Sequence, residues 1–350
     1  MKFYSKIALL LALPFAAACE GNEPELAEGY YISVDKTEIE SDGKDAATFT
    51  ITDQDGNIIS TETNMENVYY QNVQTKERLE RYSTNFTTIS DGEYEFIGIY
   101  RGKNTENSVK VTSKNRANYE VFHRNVAIFK LTATWCPNCP DMTVALNNLD
   151  EDATAHNVVL ACHNSDDISK ALGFDYAANV ALKMGMTSLA LPTNIYDMAE
   201  INSERNVYAI ARTIRNRRIE SPASCGIKVN SFAIEGNNLK VNATMKTSKG
   251  GDYDLTCAIL ADYGDYHNVV SLVGGENFLG YTNKTGFSLS KDGEQSRDWS
   301  FKFETLPSEE ILKSMKVAVI AYRKEVNGSS SLDNIILCGF NKTVDYQYNK

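Results

Sequence analysis

The spacing of apolar residues changes character twice along the chain. From residue 30 to 114 the runs are short and alternating. In "ATFTITDQDGNIIS", Phe49 and Ile51 alternate with Thr48, Thr50 and Thr52 before an Asp55-Gly56 turn; "SDGEYEFIGIYRG" repeats the pattern, with Asp91-Gly92 ahead of Tyr94 and Phe96. Period-two strands broken by such turns predict a β-sandwich. From 119 to 222 strands alternate with helices. "VAIFKL", "NVVLACH" and "LPTNIYDM" read as strands, while "PDMTVALNNLDE" puts Met142, Leu146 and Leu149 at helical spacing. "FDYAANVALKMG" reads as a helix ending at Gly185. "SERNVYAIARTIRNRRIE" reads as another, with Ser203 as N-cap and Val207, Ile210 and Ile214 turned inward. That alternation predicts an α/β layer. From 223 to 350 the β pattern returns in "NLKVNATM", "YDLTCAILA", "DWSFKFE" and "KVAVIAY", which predicts a second β-sandwich.

The first 18 residues follow a different logic. Lys2 and Lys6 precede an apolar stretch, residues 7–17, too short to span a bilayer, and small residues Ala16, Ala17 and Ala18 follow. This is the layout of an export signal. "AAAC" resembles a bacterial lipoprotein box, and the resemblance implies a lipid on Cys19. Ordinary cleavage after Ala18 would instead leave Cys19 as a free thiol. Seven cysteines is an odd number, and lipidating Cys19 leaves six, which favours the lipoprotein reading. Residues 19–29 are acidic and read as a tether.

Charge narrows the partners. The formal charge is −11, and losing Lys2 and Lys6 with the signal makes it two more negative. Phosphate backbones are bound by Lys and Arg, so nucleic acid is not an expected partner. Arg212, Arg215, Arg217 and Arg218 read as the wet face of one helix.

The chemistry gathers at "LTATWCPNCPDM", residues 131–142. Cys136 and Cys139 could be a redox pair, half of a metal site or a local staple. Haem attachment needs His after the second cysteine, and Pro140 stands there. Zinc needs four ligands, and Cys162-His163, the remaining candidates, end a separate strand. A helix N-terminus favours a thiolate, so Cys136 would attack and Cys139, one turn inward, would resolve, with Pro137 in the first helical turn.

"ATWCPNC" after "VAIFKL" resembles the thioredoxin active-site stretch, and "LPT" at 191–193 resembles that fold's cis-proline loop. The resemblance implies that Trp135, Leu191 and Pro192 flank the cysteines and bind the incoming peptide, with Pro192 cis. Thioredoxins carry a buried acid six residues before the first cysteine, where this chain has Lys130. "NIYDMAEIN" is too short for a full hairpin, so a trimmed sheet is expected. The segment 30–114 resembles bacterial immunoglobulin-like modules. Residues from about 119 to 345 resemble the 28-kilodalton outer membrane protein family of Bacteroidetes lipoproteins, which implies a cell-envelope location, on the outer membrane and facing the periplasm or the cell surface.

The remaining residues have plain readings. Cys257 alternates with Leu255 and Ile259 as a core thiol, and Cys225 and Cys338 could pair. His163 with Asp166 and Asp167 reads as a polar loop after a strand, and His123, His156 and His267 as scattered. The expectation is a lipid-anchored envelope protein of three domains: an immunoglobulin-like β-sandwich, an α/β thioredoxin-like domain and a C-terminal β-sandwich. Two functions compete: thiol–disulfide exchange with exported proteins through Cys136 and Cys139, without cofactor or metal, or an adaptor whose cysteines form a structural disulfide.

Overall fold

The computed structural model describes residues 29–349. The signal, Cys19 and most of the tether lie outside the described residues. The protein is mostly β-sheet, with few helices and several sheets, as a multidomain β-rich chain would be.

The N-terminal strands are β1 (Tyr30–Val34), β2 (Glu38–Glu40), β3 (Ala47–Asp53), β4 (Val68–Asn72), β5 (Asn85–Phe86), β6 (Gly92–Tyr100) and β7 (Lys103–Lys114). One compact unit takes in residues 29–35, Thr48–Phe86 and Tyr94–Lys110. Here β1 pairs antiparallel with β3, and β4 with β6. The alternation in β3 is the cause of its packing. Phe49 and Ile51 are buried while the threonines between them are half-exposed. Phe49 meets Phe96 with ring centroids 4.8 Å apart, and Phe96 meets Phe86 at 4.7 Å. Gly98 makes this packing possible, because a Cβ there would lie 2.6 Å from Ile51 Cδ1.

The second unit takes in Lys36–Ala47, Thr87–Glu93 and residues 111–349. Its elements after β7 are β8 (Val126–Thr132), α1 (Cys139–Asn147), α2 (Glu151–Ala155), β9 (Asn157–His163), α3 (Asp167–Leu172), α4 (Tyr176–Lys183), β10 (Thr193–Tyr196), β11 (Glu200–Asn202), α5 (Val207–Glu220), β12 (Cys225–Glu235), β13 (Asn238–Thr247), β14 (Gly251–Tyr263), β15 (Tyr266–Val273), β16 (Phe287–Leu289), β17 (Glu294–Lys302), α6 (Glu309–Ser314), β18 (Lys316–Lys324) and β19 (Ser330–Gly339). One sheet runs β11-β10-β8-β9-β15-β14-β18-β19, with β16 paired to β14. Strands β8 and β9 are parallel and joined through α1 and α2, and β15 continues the sheet from β9 through the single pair Val269↔Ala161.

The sequence predicts a C-terminal sandwich separate from the α/β layer, and the structure differs. The sheet β12-β13-β17 packs on β14, β18 and β19 around Ile227, Val241, Leu255, Cys257, Val319 and Ile336. Those last three strands are also the far half of the α/β sheet. The physical reason lies in β14, which is buried on both faces. Leu255, Cys257 and Ile259 point into the sandwich, while Ala258 and Leu260 join Phe129, Leu131, Leu160 and Val180 of the α/β core. A strand covered on both sides loses its alternation, so "YDLTCAILA" carries no sign of which layer it serves. On the opposite face of β8, Val126 and Ile128 pack with Met142 of α1 and Ile210 and Ile214 of α5.

Two local expectations are corrected. Helix α5 starts later than Ser203: Asn206 is its N-cap, accepting from Tyr208 N and Ala209 N at 2.9 and 3.2 Å. The sheet is less trimmed than "NIYDMAEIN" suggests. Asp197 and Met198, with φ of 52° and 55°, are the central residues of a turn closed by Ala199 N donating to Tyr196 O, and this three-residue connection returns the chain as β11. Asp197 is held there by Ala127 N at 2.8 Å and by a fully buried ion pair with Arg124 at 2.6 Å.

Candidate functional site: a disulfide beside a buried histidine

The chain leaves β8 at Thr132 and turns immediately. Cys136 N donates to Ala133 O at 3.2 Å, and Cys139 N to Cys136 O at 3.4 Å. This winds the segment so that Cys136 and Cys139 are joined by a disulfide, with Cα atoms 5.5 Å apart. Helix α1 begins at Cys139, with Pro140 in its first turn. The expectation that Pro137 opens the helix and that Cys136 sits at its N-terminus is therefore corrected. A proline N–H is missing where the first turn needs none, and Pro137 disfavours a helical conformation at Cys136. Nor is Cys136 the exposed partner: the two residues are 5% and 4% exposed.

The flanking residues take contrasting positions. Trp135 is 58% exposed. Leu191, half-buried, packs on Ala133, Cys136 and Cys139, and the Leu191–Pro192 peptide bond is cis, with Pro192 buried. "LPT" thus lies against the cysteines, 52 positions after Cys139 in the chain.

A cavity of about 620 Å³ opens beside the pair. Its floor is one face of two strands. Asn157, Val159, Ala161 and His163 are alternate residues of β9, and Lys130 and Thr132 are alternate residues of β8. Thr143 and Leu146 of α1 form a wall, and Tyr266 and His267 of β15 form another part of the rim.

Two ionisable side chains in this cavity are buried. Lys130 is 9% exposed, and burial pushes its ammonium down to about 8. Its Nζ donates to Thr143 Oγ1 at 2.9 Å, and that hydroxyl donates to Cys139 O at 3.2 Å. His163 is 2% exposed, with Nδ1 2.6 Å from Asp166 Oδ2. Burial lowers the imidazole pKa and Lys130 lowers it further, while Asp166 opposes both; the net shift is downward. Burial pushes the Asp166 carboxyl up, but His163 and the N–H groups of Ser169 and Thr134 outweigh it and hold it below its ordinary value. Thr134 N reaches Asp166 Oδ2 at 2.8 Å, so the same carboxylate holds the histidine and the loop that leads to Cys136.

The reading of His163 and Asp166 as a mere polar loop is corrected. Asp167 alone fits it, being exposed. The two-residue period of β9 would have found this site, because it sends His163 to the face of Val159 and Cys162 to the opposite one. Cys162 is buried in the α/β core, where desolvation raises its thiol pKa far above the ordinary value. Cys162 and His163 therefore point apart and cannot complete one zinc site with the cysteine pair.

Other sequence expectations also move. Cys225 and Cys338 are free thiols, as are Cys162 and Cys257. Cys225 lies beside Asp333, and Cys338 Sγ donates to Lys342 O at 3.3 Å, so neither thiol is directed to the other. Arg215 and Arg218 are buried rather than wet: Arg215 Nη2 forks onto Asp150 at 2.8 and 2.9 Å, and Arg218 Nη1 reaches Asp152 at 3.1 Å. His123 and His156 are not scattered, because Val126 N bonds His156 O and brings their rings into a stack at 4.0 Å.

No protein-family model matches this sequence. No curated protein matches it. Among solved structures the chain is similar to HBP35 of Porphyromonas gingivalis, with 18% identity and a TM-score of 0.49 over 63% of this chain and 76% of that one. It is also similar to protein AGR_C_4864 from Agrobacterium tumefaciens, with 12% identity and a TM-score of 0.41 over 63% of this chain and 96% of that one.

Proposed function

We propose that this chain is an exported, lipid-anchored envelope protein that exchanges disulfides with other exported proteins through Cys136 and Cys139. The observation that carries the reading is the setting of the disulfide. It closes a turn between strand and helix, lies against Leu191, and opens onto a cavity lined by Lys130 and His163. A bond kept only as a staple has no need of two buried ionisable groups beside it, since each costs desolvation energy. In this reading Cys136 receives the partner's sulfur and Cys139 displaces it, with exposed Trp135 and the Leu191–Pro192 loop as the surface on which the partner peptide lies. Lipid on Cys19 would hold the protein to the outer membrane.

The competing reading, an adaptor in which the disulfide is structural, draws on the burial of both cysteines. One experiment separates them. With Cys139→Ser the mixed disulfide has no intramolecular exit, so envelope proteins should accumulate on Cys136 as reductant-sensitive adducts. Cys136→Ser should trap almost none. Absence of adducts in both variants, with a pair that resists reduction by glutathione, would leave the adaptor reading.

A further inference from the structure

Buried polar atoms are almost always hydrogen-bonded, and exceptions call for an explanation. In this cavity the exception is His163. Its Nδ1 is engaged by Asp166, while its Nε2 is buried and has no partner among the described residues. The carboxylate fixes the ring in one orientation and leaves the second nitrogen facing outward from that contact. The ring is further set by Tyr266, which meets it edge-on with centroids 5.2 Å apart.

We propose that His163, oriented by Asp166, is the base that takes the proton from the Cys139 thiol when Cys139 displaces a partner from Cys136. The inference rests on the exchange reading given above. It stands on geometry: His163, Cys136 and Cys139 line one cavity, and Asp166 binds both His163 and Thr134, two residues before Cys136. Thr132 and His163 are also register partners at the ends of parallel β8 and β9.

A partner's disulfide sulfur is bonded to Cys136 Sγ. The Cys139 thiol gives its proton to His163 Nε2 through solvent in the cavity, since no hydrogen bond joins the two side chains directly. The Cys139 sulfur forms the bond to Cys136 Sγ, and the bond from Cys136 to the partner breaks with its electron pair on the partner's sulfur. That thiolate then takes a proton from the imidazolium or from solvent. Two thiols of this protein are oxidised, and one partner disulfide is reduced to two thiols.

The charged neighbours of the ring decide how it titrates. Asp166 faces it from the N-cap of α3, Lys130 from β8, and Asp265, from the turn before β15, and His267, on β15, share the cavity. With its pKa below the ordinary value, the ring is neutral near neutral pH and free to accept.

The test uses the reduced full-length chain and oxidised glutathione as the partner disulfide. Alkylation quench and mass analysis follow the conversion of glutathionylated Cys136 into the Cys136–Cys139 disulfide. In the wild type this step should accelerate as pH rises through the imidazole titration. In His163→Gln it should slow about a hundredfold at neutral pH and lose that inflection, the usual range for a positioned base. The equilibrium constant with glutathione should move less than twofold, because a base speeds both directions. A folded His163→Gln with wild-type rate and pH profile overturns the proposal. If that variant does not fold, the His163 ring resonance of the wild type decides: its titration midpoint should differ between oxidised and dithiothreitol-reduced protein, and identical midpoints overturn the proposal. A pair that forms no mixed disulfide with glutathione removes the exchange reading itself, an outcome distinct from a reactive pair indifferent to His163.

Discussion

Lys130 shows what one residue in an unexpected place does to a protein. It interrupts an apolar strand, and its burial lowers its pKa from 10.5 to about 8. A shift of that size corresponds to roughly 3 kcal/mol, the cost of carrying the charge in the folded state. Because the folded chain gives up this proton first, the unfolded state holds more protons between pH 8 and 10.5, and stability rises with pH there. Lys130→Met should therefore raise stability at pH 7 by roughly 2–3 kcal/mol, with the gain shrinking above pH 8 and gone above 10.5. Urea titrations at pH 7 and pH 10.5 measure it, and an equal gain at both would show that the charge is not the cause. The same residue shows what sequence reading can and cannot reach. "WCPNC" and "LPT" disclose themselves because their spacing is local. The partnership of His163 with Asp166, and of both with the cysteine loop, depends on which face of β9 the histidine takes.

At the scale of elements, two boundaries missed in the sequence have the same origin: a nearby competitor with a better hydrogen bond. Asn206 displaces Ser203 as the cap because its side chain accepts two N–H groups of α5. The β10–β11 hairpin forms because Asp197 is rewarded twice, by Ala127 N and by Arg124. Arg124 and Asp197 are both fully buried at their side chains, and removing one partner of such a pair strands the other's charge. Arg124→Met should cost about 3–5 kcal/mol in chemical denaturation. Adding Asp197→Asn, which tolerates the positive φ, should recover part of the loss. A single-variant cost below about 1 kcal/mol would mean that Arg217, 3.5 Å from Asp197, already neutralises it.

At the scale of the molecule, the predicted boundary near residue 222 falls where no layer ends. Phe129 and Leu160 share their core with Ala258, Leu260, Ile320 and Ile335. A fragment of residues 119–222 would expose that half-core, so it should show no near-UV circular dichroism and should bind a hydrophobic dye. In the full-length chain, residues 119–222 should melt together with the C-terminal strands, with no separate transition by near- or far-UV signals. A fragment 119–222 that folds with fixed tertiary packing would show that the shared sheet is not a folding requirement. The β content and the α/β interlude were legible because they depend on periods of two and three to four residues. The joining of β15 to β9 was not, since a single register pair between distant segments leaves no periodic trace.

The two ends of the long sheet bear on how copies of this chain treat one another. At one end β11 offers three residues. At the other, Asn125 and Arg124 reach across from the entry to β8 and occupy the carbonyls of Ile335 and Leu332 on β19, at 3.0 and 3.4 Å. An unpaired strand is a template on which a second molecule can polymerise. Here one template is too short to hold a neighbour, and the other is partly spent on the chain's own side chains. Crowding alone then gives little drive toward fibres from this sheet, and a loss of Asn125 would matter for solubility before it mattered for chemistry.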